Sequence, residues 1–291
     1  MEKGVPIRSV SRSIAVLQTV NRMKSLSLME IARAVDLPYP TAFRIVQTLM
    51  HEGLIECEPT RKHYRVTELV QSLSLGYRDG GTLLTAARPR IVELTRRLSW
   101  PVSVVTHVGQ SMVVRDSTHT LTSLTFFNYS PGYTMPLLEC ASGHAYLAHV
   151  PDDERANILT GIEAFERRTQ MLEMFKGDKL VRSIRESGYA TCHRNPHTPF
   201  PGKTSSIGVP VFECGRVVGT LTLVFFATSM PMSEAVDRYA GELKAVAHAL
   251  SDELTHGVGG PDTDDGRRDM AAVRESPLRT MTAKPAGAVA H

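Results

Sequence analysis

Apolar residues recur three and four apart through the first fifty positions, which is the spacing of short amphipathic helices. Ile14, Leu17 and Val20 stand three apart in SRSIAVLQTVNRM, with Ala15 alongside, and predict a helix over 11–23 with that stripe buried. In SLMEIARAVDL a second stripe runs through Leu28, Ile31, Ala32 and Val35. Ser27 and Glu30 form a capping box at its start, where the hydroxyl takes an orphan backbone N–H and the carboxylate reaches back. Asp36-Leu37-Pro38-Tyr39-Pro40 then breaks the chain, since each proline removes a donor and restricts the residue before it. A third helix, TAFRIVQTLMHEG, buries Ala42, Ile45, Val46 and Leu49 and stops at Gly53 as a left-handed cap. LIECE (54–58) and HYRVT (63–67) read as strands around the turn Pro59-Thr60-Arg61-Lys62.

Beyond residue 81 the period changes. TLLTAARPRIVELTRRL (82–98) predicts a helix interrupted near Pro89. VSVVTHV and SMVVRDST alternate around Gly109-Gln110 as a hairpin, and SSIGVPVF with VVGTLTLVFF makes a second around Glu213–Arg216. PGYTMPLLECASGHAYLAHV turns into a helix at about Ser142; further helices fall at 152–160, 178–187 and 233–254. Helices segregated against an antiparallel sheet make this body α+β. Residues 257–291 hold five Gly, three Pro and no aromatic residue, and are expected to be a disordered tail.

Length and charge then sharpen the picture. With 291 residues the chain has room for about two domains. Its net charge of +3 lies wholly in residues 1–80, where 11 Lys/Arg face 8 Asp/Glu. A basic N-terminal module on a neutral body suits a phosphate-backbone partner. No apolar run reaches the ~18 residues of a membrane span, and MEKGVPIRSV has no signal-peptide core. The four cysteines are scattered, which fits a reducing, cytoplasmic setting and excludes a disulfide framework.

Helix, helix, sharp turn, helix and basic hairpin is the order of a winged helix-turn-helix, whose recognition helix enters the major groove of double-stranded DNA. Tyr39, Thr41, Phe43, Arg44 and Gln47 crowd the polar face of that helix. Arg44 can bond a guanine edge twice and Gln47 an adenine edge, while Thr41 and Phe43 can touch a thymine methyl. Arg61, Lys62 and Arg65 of the hairpin would lie along phosphates. The competing reading is a three-helix interaction module with a solvated face.

SVSRSIAVLQTV, SLMEIARAVDLPYPTAFRIVQTLMHEGLIE and HYRVT followed by a helix resemble the DNA-binding end of the IclR family of transcriptional regulators. The family's usual Thr and Arg of the recognition helix are Thr41 and Arg44; the Pro-Tyr-Pro at 38–40 departs from its small or basic residues. GYTMPLLECASGHAYLA and the rest of the body resemble the family's effector-binding domain, which is GAF-like. The resemblance covers about 5–256 and implies a winged helix-turn-helix at 5–67, a linker helix at 68–81 that helps pair subunits, and an effector-binding domain at 82–256.

Carried over position by position, it places Ser142, Gly143, His144, Ser206, Leu223 and Phe225 at an effector pocket, approached by Met135 and Leu137. Leu223 and Phe225 suit an aromatic effector, and the Ser142 helix start suits its carboxylate. Arg115, His119, His193 and Arg194 are further candidate donors. WPVSVVTH, MVVRDSTH, the MPLLECASG run and IGVPV resemble, within the family, the regulators of hydroxyphenylpropionate catabolism. That implies an activator of an aromatic-acid operon, a homodimer or homotetramer on operator DNA, in contact with RNA polymerase. An aliphatic keto acid repressor of the same family is the alternative.

An enzyme with a fused interaction module is the rival of another class. Ser142 stands near His144 and His149, yet there is no GxSxG elbow and no Asp to orient either His, so Ser142 reads better as a helix N-cap. His193 and His197 span a proline and have no evident third partner, so no metal and no cofactor are expected.

Overall fold

The computed structural model describes residues 7–74, 82–126, 129–164, 169–196, 198 and 200–257. At the N-terminus, α1 (Arg8–Met23), α2 (Leu28–Ala34) and α3 (Tyr39–His51) close around Val16, Val20, Ile31 and Val46, each fully buried. The strands β1 (Leu26–Ser27), β2 (Ile55–Cys57) and β3 (His63–Val66) pair antiparallel in the order β1-β3-β2. The buried face of α1 is the expected one at Val20 and, in part, at Leu17, but not at Ile14. Val16, Thr19 and Val20 face the core, while Ile14 is 51% exposed. Two short helices offer only a narrow surface to cover, and Ile14 sits about 200° around the helix from Val16.

Local chemistry sets the helix boundaries. The Ser27 N–H donates to Glu30 Oε2 at 2.8 Å and the Glu30 N–H to Ser27 Oγ at 3.4 Å, which completes the capping box. The Ser27 hydroxyl, donating to Glu30 Oε2 at 2.7 Å, and then the Ser27 N–H hold the Glu30 carboxyl below the usual carboxylate range. Asp36 takes φ +49° in the turn, and the Leu37 N–H donates to the Ala32 carbonyl at 2.9 Å. The Pro-Tyr-Pro step fits the start of α3. The N–H groups of Thr41 and Ala42 both donate to the Pro38 carbonyl, and Pro40 sits in the first turn, where a missing N–H leaves no gap. Gly53, at φ +72°, ends the helix as expected.

After the hairpin comes one turn, α4 (Leu69–Ser72). The rest of the expected linker helix, 75–81, and the expected disordered tail, from 258 onward, lie outside the described residues.

In the second domain α5 (Thr82–Leu98) runs unbroken through Pro89. Pro89 and Thr85, whose carbonyl loses its partner, are both exposed, so water satisfies the freed acceptor instead of a kink forming. The sheet comprises β4 (Val102–Val108), β5 (Ser111–Ser117), β6 (Thr134–Pro136), β7 (Ala190–Cys192), β8 (Thr204–Glu213) and β9 (Arg216–Phe226). Its order is β6-β5-β4-β9-β8-β7, antiparallel throughout. Cys214 and Gly215, at φ +47° and +76°, form the two-residue turn between β8 and β9, as such hairpins require.

Both faces of the sheet are covered. On one, α5 and α10 (Met232–His256) bury Val102, Val104, Ile207, Leu221, Leu223 and Phe225. On the other, α6 (Ala141–His149), α7 (Asp152–Glu163), α8 (Gln170–Lys176) and α9 (Asp178–Ser187) pack over Val105, Met112, Val114 and Val224. The sequence reading had no helix at 170–176.

Two glycines set how closely α6 is held. A Cβ on Gly143 would stand 1.8 Å from the Leu137 carbonyl oxygen, and one on Gly208 of β8 would stand 2.8 Å from that of Ala141. Neither obstacle is a flexible side chain. Gly143→Ala is therefore expected to destabilise the chain by more than about 2 kcal/mol through forced backbone displacement. A thermal melt within a degree of wild type would contradict this packing.

Candidate DNA interface and effector pocket

The sequence-predicted residues of α3 share one exposed arc. At about 100° per residue, Arg44 lies at its middle, Thr41 toward α1, and Phe43 and Gln47 on the other side. Tyr39 and Phe43 are 49% and 39% exposed, so two rings stand outside the core that the same helix fills with Ile45 and Val46. Arg61 and Lys62 are exposed at the hairpin turn, with Lys62 at φ +51°. Arg65 is different. Its Nε donates to Glu56 Oε1 at 2.6 Å across the β2–β3 pair, and Glu58 lies 3.9 Å from its Nη1. It is paired across the hairpin while its side chain stays 54% exposed.

The candidate pocket lies between the α6 side of the sheet and the first turn of α6. Cross-strand register puts Ser117, Ser103, Thr222, Gly208 and Ala190 in one row over five strands. Small side chains there, and none at Gly208, leave a gap under the helix. It is lined by Ser103, Ser142, Ser206 and Thr222 with Tyr129 and Met135, among others. Its volume is about 10 Å³, enough for about one water, so a larger ligand must displace side chains.

Most of its polar atoms are already paired. Ser103 Oγ donates to Ser117 Oγ at 3.0 Å, Tyr129 Oη and Thr204 Oγ1 lie 3.0 Å apart, and Asn195 Nδ2 donates to the Glu139 carbonyl at 2.8 Å. Burial pushes the Tyr129 phenol up to about 12. Thr222 Oγ1, by contrast, is buried and has no hydrogen-bond partner among the described residues.

Several expected pocket residues sit elsewhere. Leu223 and Phe225 point to the opposite face, where Trp100 meets the Phe225 ring edge-on at 6.3 Å. Strand alternation gives the pocket their neighbours Thr222 and Val224 instead. Leu137 is buried in the core below α6, and Gly143 serves close packing against it. His144 Nε2 bonds the Leu138 carbonyl at 2.8 Å and its ring packs on Phe175. Met135, Ser142 and Ser206 do line the gap.

Ser142 is not the helix cap. Cys140 is, its Sγ accepting from the Gly143 N–H at 3.4 Å and from Ser142 Oγ at 3.2 Å. Burial pushes the Cys140 thiol up to about 11.

None of the candidate carboxylate donors lines the gap. Arg115 is half-buried, His193 and Arg194 are exposed, and His119 is buried beside the Arg88–Asp116 ion pair. Ser142, His144 and His149 do not meet either, as His149 Nδ1 bonds its own helix at Ala145. His197 lies outside the described residues, among which no group of three metal-ligating side chains forms. No helix among them is long and apolar enough to cross a membrane.

A winged helix-turn-helix ahead of a domain whose antiparallel sheet is covered by helices on both faces defines a DNA-binding regulator. Comparison with known proteins agrees. The IclR helix-turn-helix domain matches residues 9–59, and the C-terminal domain of the bacterial transcriptional regulator IclR matches 77–252. The chain belongs to the IclR family of transcriptional regulators.

Its relatives include the HTH-type transcriptional regulator KdgR of Escherichia coli K12, 23% identical over 85% of this chain and 93% of the relative. The acetate operon repressor of Salmonella typhimurium is 20% identical over 87% and 91%. Among solved structures, an IclR regulator from Alicyclobacillus acidocaldarius shares the fold at TM-score 0.60, with 20% identity over 86% of this chain and 100% of that one. An IclR homologue from Microbacterium hydrocarbonoxydans, complexed with 4-hydroxybenzoate, does so at 0.58, with 18% identity over 84% and 98%. The family and these relatives are regulators, and this chain is a transcriptional regulator and not an enzyme.

Burial lowers the basicity of His107, His144 and His149 below the ordinary histidine value. Below pH ~6.5 the unfolded chain takes up protons that these folded rings refuse. The stability they contribute is therefore complete above that pH and is lost as pH falls below it. Melting temperature is expected to be flat from pH 8 to 7 and to drop toward pH 5. His149→Gln, at a partly exposed ring, should flatten part of that slope. An unchanged slope in this variant would remove His149 from the account.

Proposed function

We propose that this regulator is an effector-responsive activator of an operon for aromatic-acid breakdown, working from the cytoplasm as a homodimer or homotetramer. The observation that carries the sensing part is Thr222 Oγ1, a hydroxyl buried in the gap beside Tyr129 and Met135 with no partner among the described residues. Such a group finds its partner in a ligand, and an apolar wall with few aimed polar atoms is the usual make-up of a small-molecule site. The 4-hydroxybenzoate held by the Microbacterium relative supports an aromatic acid, as do the segments similar to hydroxyphenylpropionate regulators. One winged domain offers few phosphate contacts, so two copies read half-sites about one helical turn apart. An activator then engages RNA polymerase.

On DNA, Arg44 at the centre of the α3 arc reads a base edge, with Thr41, Phe43 and Gln47 beside it and Tyr39 at the helix entrance. Arg61 and Lys62 contact phosphates. Arg44→Ala should relax specificity at one base pair, at a cost of about 1–3 kcal/mol. Arg61→Ala should weaken every sequence alike and lower the salt slope by about one unit. Equal losses for both variants at every site would refute the division of labour.

Calorimetry with a panel of aromatic acids, and an aliphatic keto acid alongside, tests the effector. Thr222→Val keeps shape and removes the hydroxyl, so it should weaken binding about tenfold while effector-free DNA binding stays at the wild-type level. Phe225→Ala should act through stability alone, because its ring lies on the other face. Binding of only the keto acid would leave the regulator standing and end the aromatic assignment.

A further inference from the structure

Between α1 and α3 runs an open groove of about 590 Å³, outside the residues given DNA contacts above except Thr41 and Arg44. Ser9, Arg12 and Ser13 of α1 line one wall, and Thr41, Arg44 and Thr48 of α3 the other. Neither helix contains a single Asp or Glu: α1 is RSVSRSIAVLQTVNRM and α3 is YPTAFRIVQTLMH. Arg8, Arg12 and Arg44 are exposed, and among the described residues none of the three is in an ion pair. Of the acids nearby in sequence, Glu30 is engaged with Ser27 and Glu56 with Arg65, while Asp36 and Glu52 lie just outside the two ends of α3.

The donor set is selective. The hydroxyls of Ser13 and Thr48 donate to the carbonyls of Ser9 and Arg44 one turn back, whereas Ser9 Oγ makes no such bond. A guanidinium and an unbonded hydroxyl one turn apart, on a helix without a carboxylate, match a phosphate oxygen pair. Position points the same way. Thr41, Arg44 and Thr48 share the α1 side of the exposed arc. When α3 enters the major groove, the strand bordering that side comes to lie over the α1–α3 groove.

We propose that this groove seats a backbone phosphate of the operator, with Arg12 as its cation and Ser9 as its hydroxyl donor. The contact fixes how deeply α3 sits and carries no sequence information. It rests on the assignment of α3 as the recognition helix.

The test uses the full-length oligomer and duplexes carrying its operator or an unrelated sequence. Arg12→Ala should weaken both duplexes by the same factor, about five- to tenfold near 0.1 M salt, and lower the salt slope by about one for each bound domain. Arg12→Lys should restore the slope. Arg96→Ala removes an equal charge from exposed α5 and should change neither. Wild-type affinity and slope in Arg12→Ala would overturn the proposal. So would a loss confined to one base-pair position, which makes Arg12 a reader, or a loss of oligomer with the slope intact, which makes the groove a protein contact. Failure of the wild-type chain to bind any duplex would instead bring down the DNA-binding assignment on which this one stands.

Discussion

At Gly208 the sheet carries no side chain, and the first turn of α6 rests on the bare strand; a Cβ there would come within 2.8 Å of the Ala141 carbonyl and 3.0 Å of the Ser142 nitrogen. In the same turn, Gly143 is wedged more tightly still against Leu137. These two contacts decide where the helix stands over the sheet, and so where the gap beneath it opens. The flanking row must be small for the same reason. Ser103 and Thr222 occupy the positions beside Gly208 across the strands, and larger side chains would fill the space that the helix spans. The hydroxyls that result are a by-product of size with a chemical consequence. They bring polar atoms into a dry place, and all but one of those in the row find partners in the protein.

How much of this could be read from the chain depended on how local the determinant was. Capping box, turn and Pro38-led helix start are decided within four or five residues, and the helix-turn-helix and its hairpin were legible in outline. Ile14 was misplaced because a spacing of three precesses around a helix; only the partners of α1 show that Val16 and Val20 define its inner face. The ion pair of Arg65 with Glu56 is not legible along the chain, because it forms only once β2 and β3 are in register.

The pocket was harder. Residues 220–225 read Thr-Leu-Thr-Leu-Val-Phe, with the large apolar residues on one face and the threonines on the other. That alternation was a usable signal, and it assigns the bulky set to a helix-covered core and the small polar set to the gap. The family's pattern, carried over to Leu223 and Phe225, falls one residue away from the strand positions that line the gap, which in a strand means on the opposite side. The cap was misread for a related reason. Ser142 belongs to the residue types that cap helices and Cys140 does not, yet the chain leaves Cys140 extended at φ −148° and begins the helix after it.

A cavity with room for about one water also constrains how an effector could act on DNA. No ring enters it without displacing part of its wall, so binding and rearrangement are one event. Two parts of that wall can give. Met135 is an unbranched side chain on the edge strand β6, able to change rotamer. The first turn of α6 is capped by a thiol, a weak acceptor, and is held mainly by packing against Gly208 and Leu137. If Met135 alone moves, the ligand is accommodated locally and the rest of the domain is unaware of it. If α6 lifts, contacts with α9 and the sheet shift together, and the two arrangements of the domain acquire different affinities for the ligand. Only that difference can be passed on to the DNA-binding helices, because a ligand that binds both arrangements equally shifts neither.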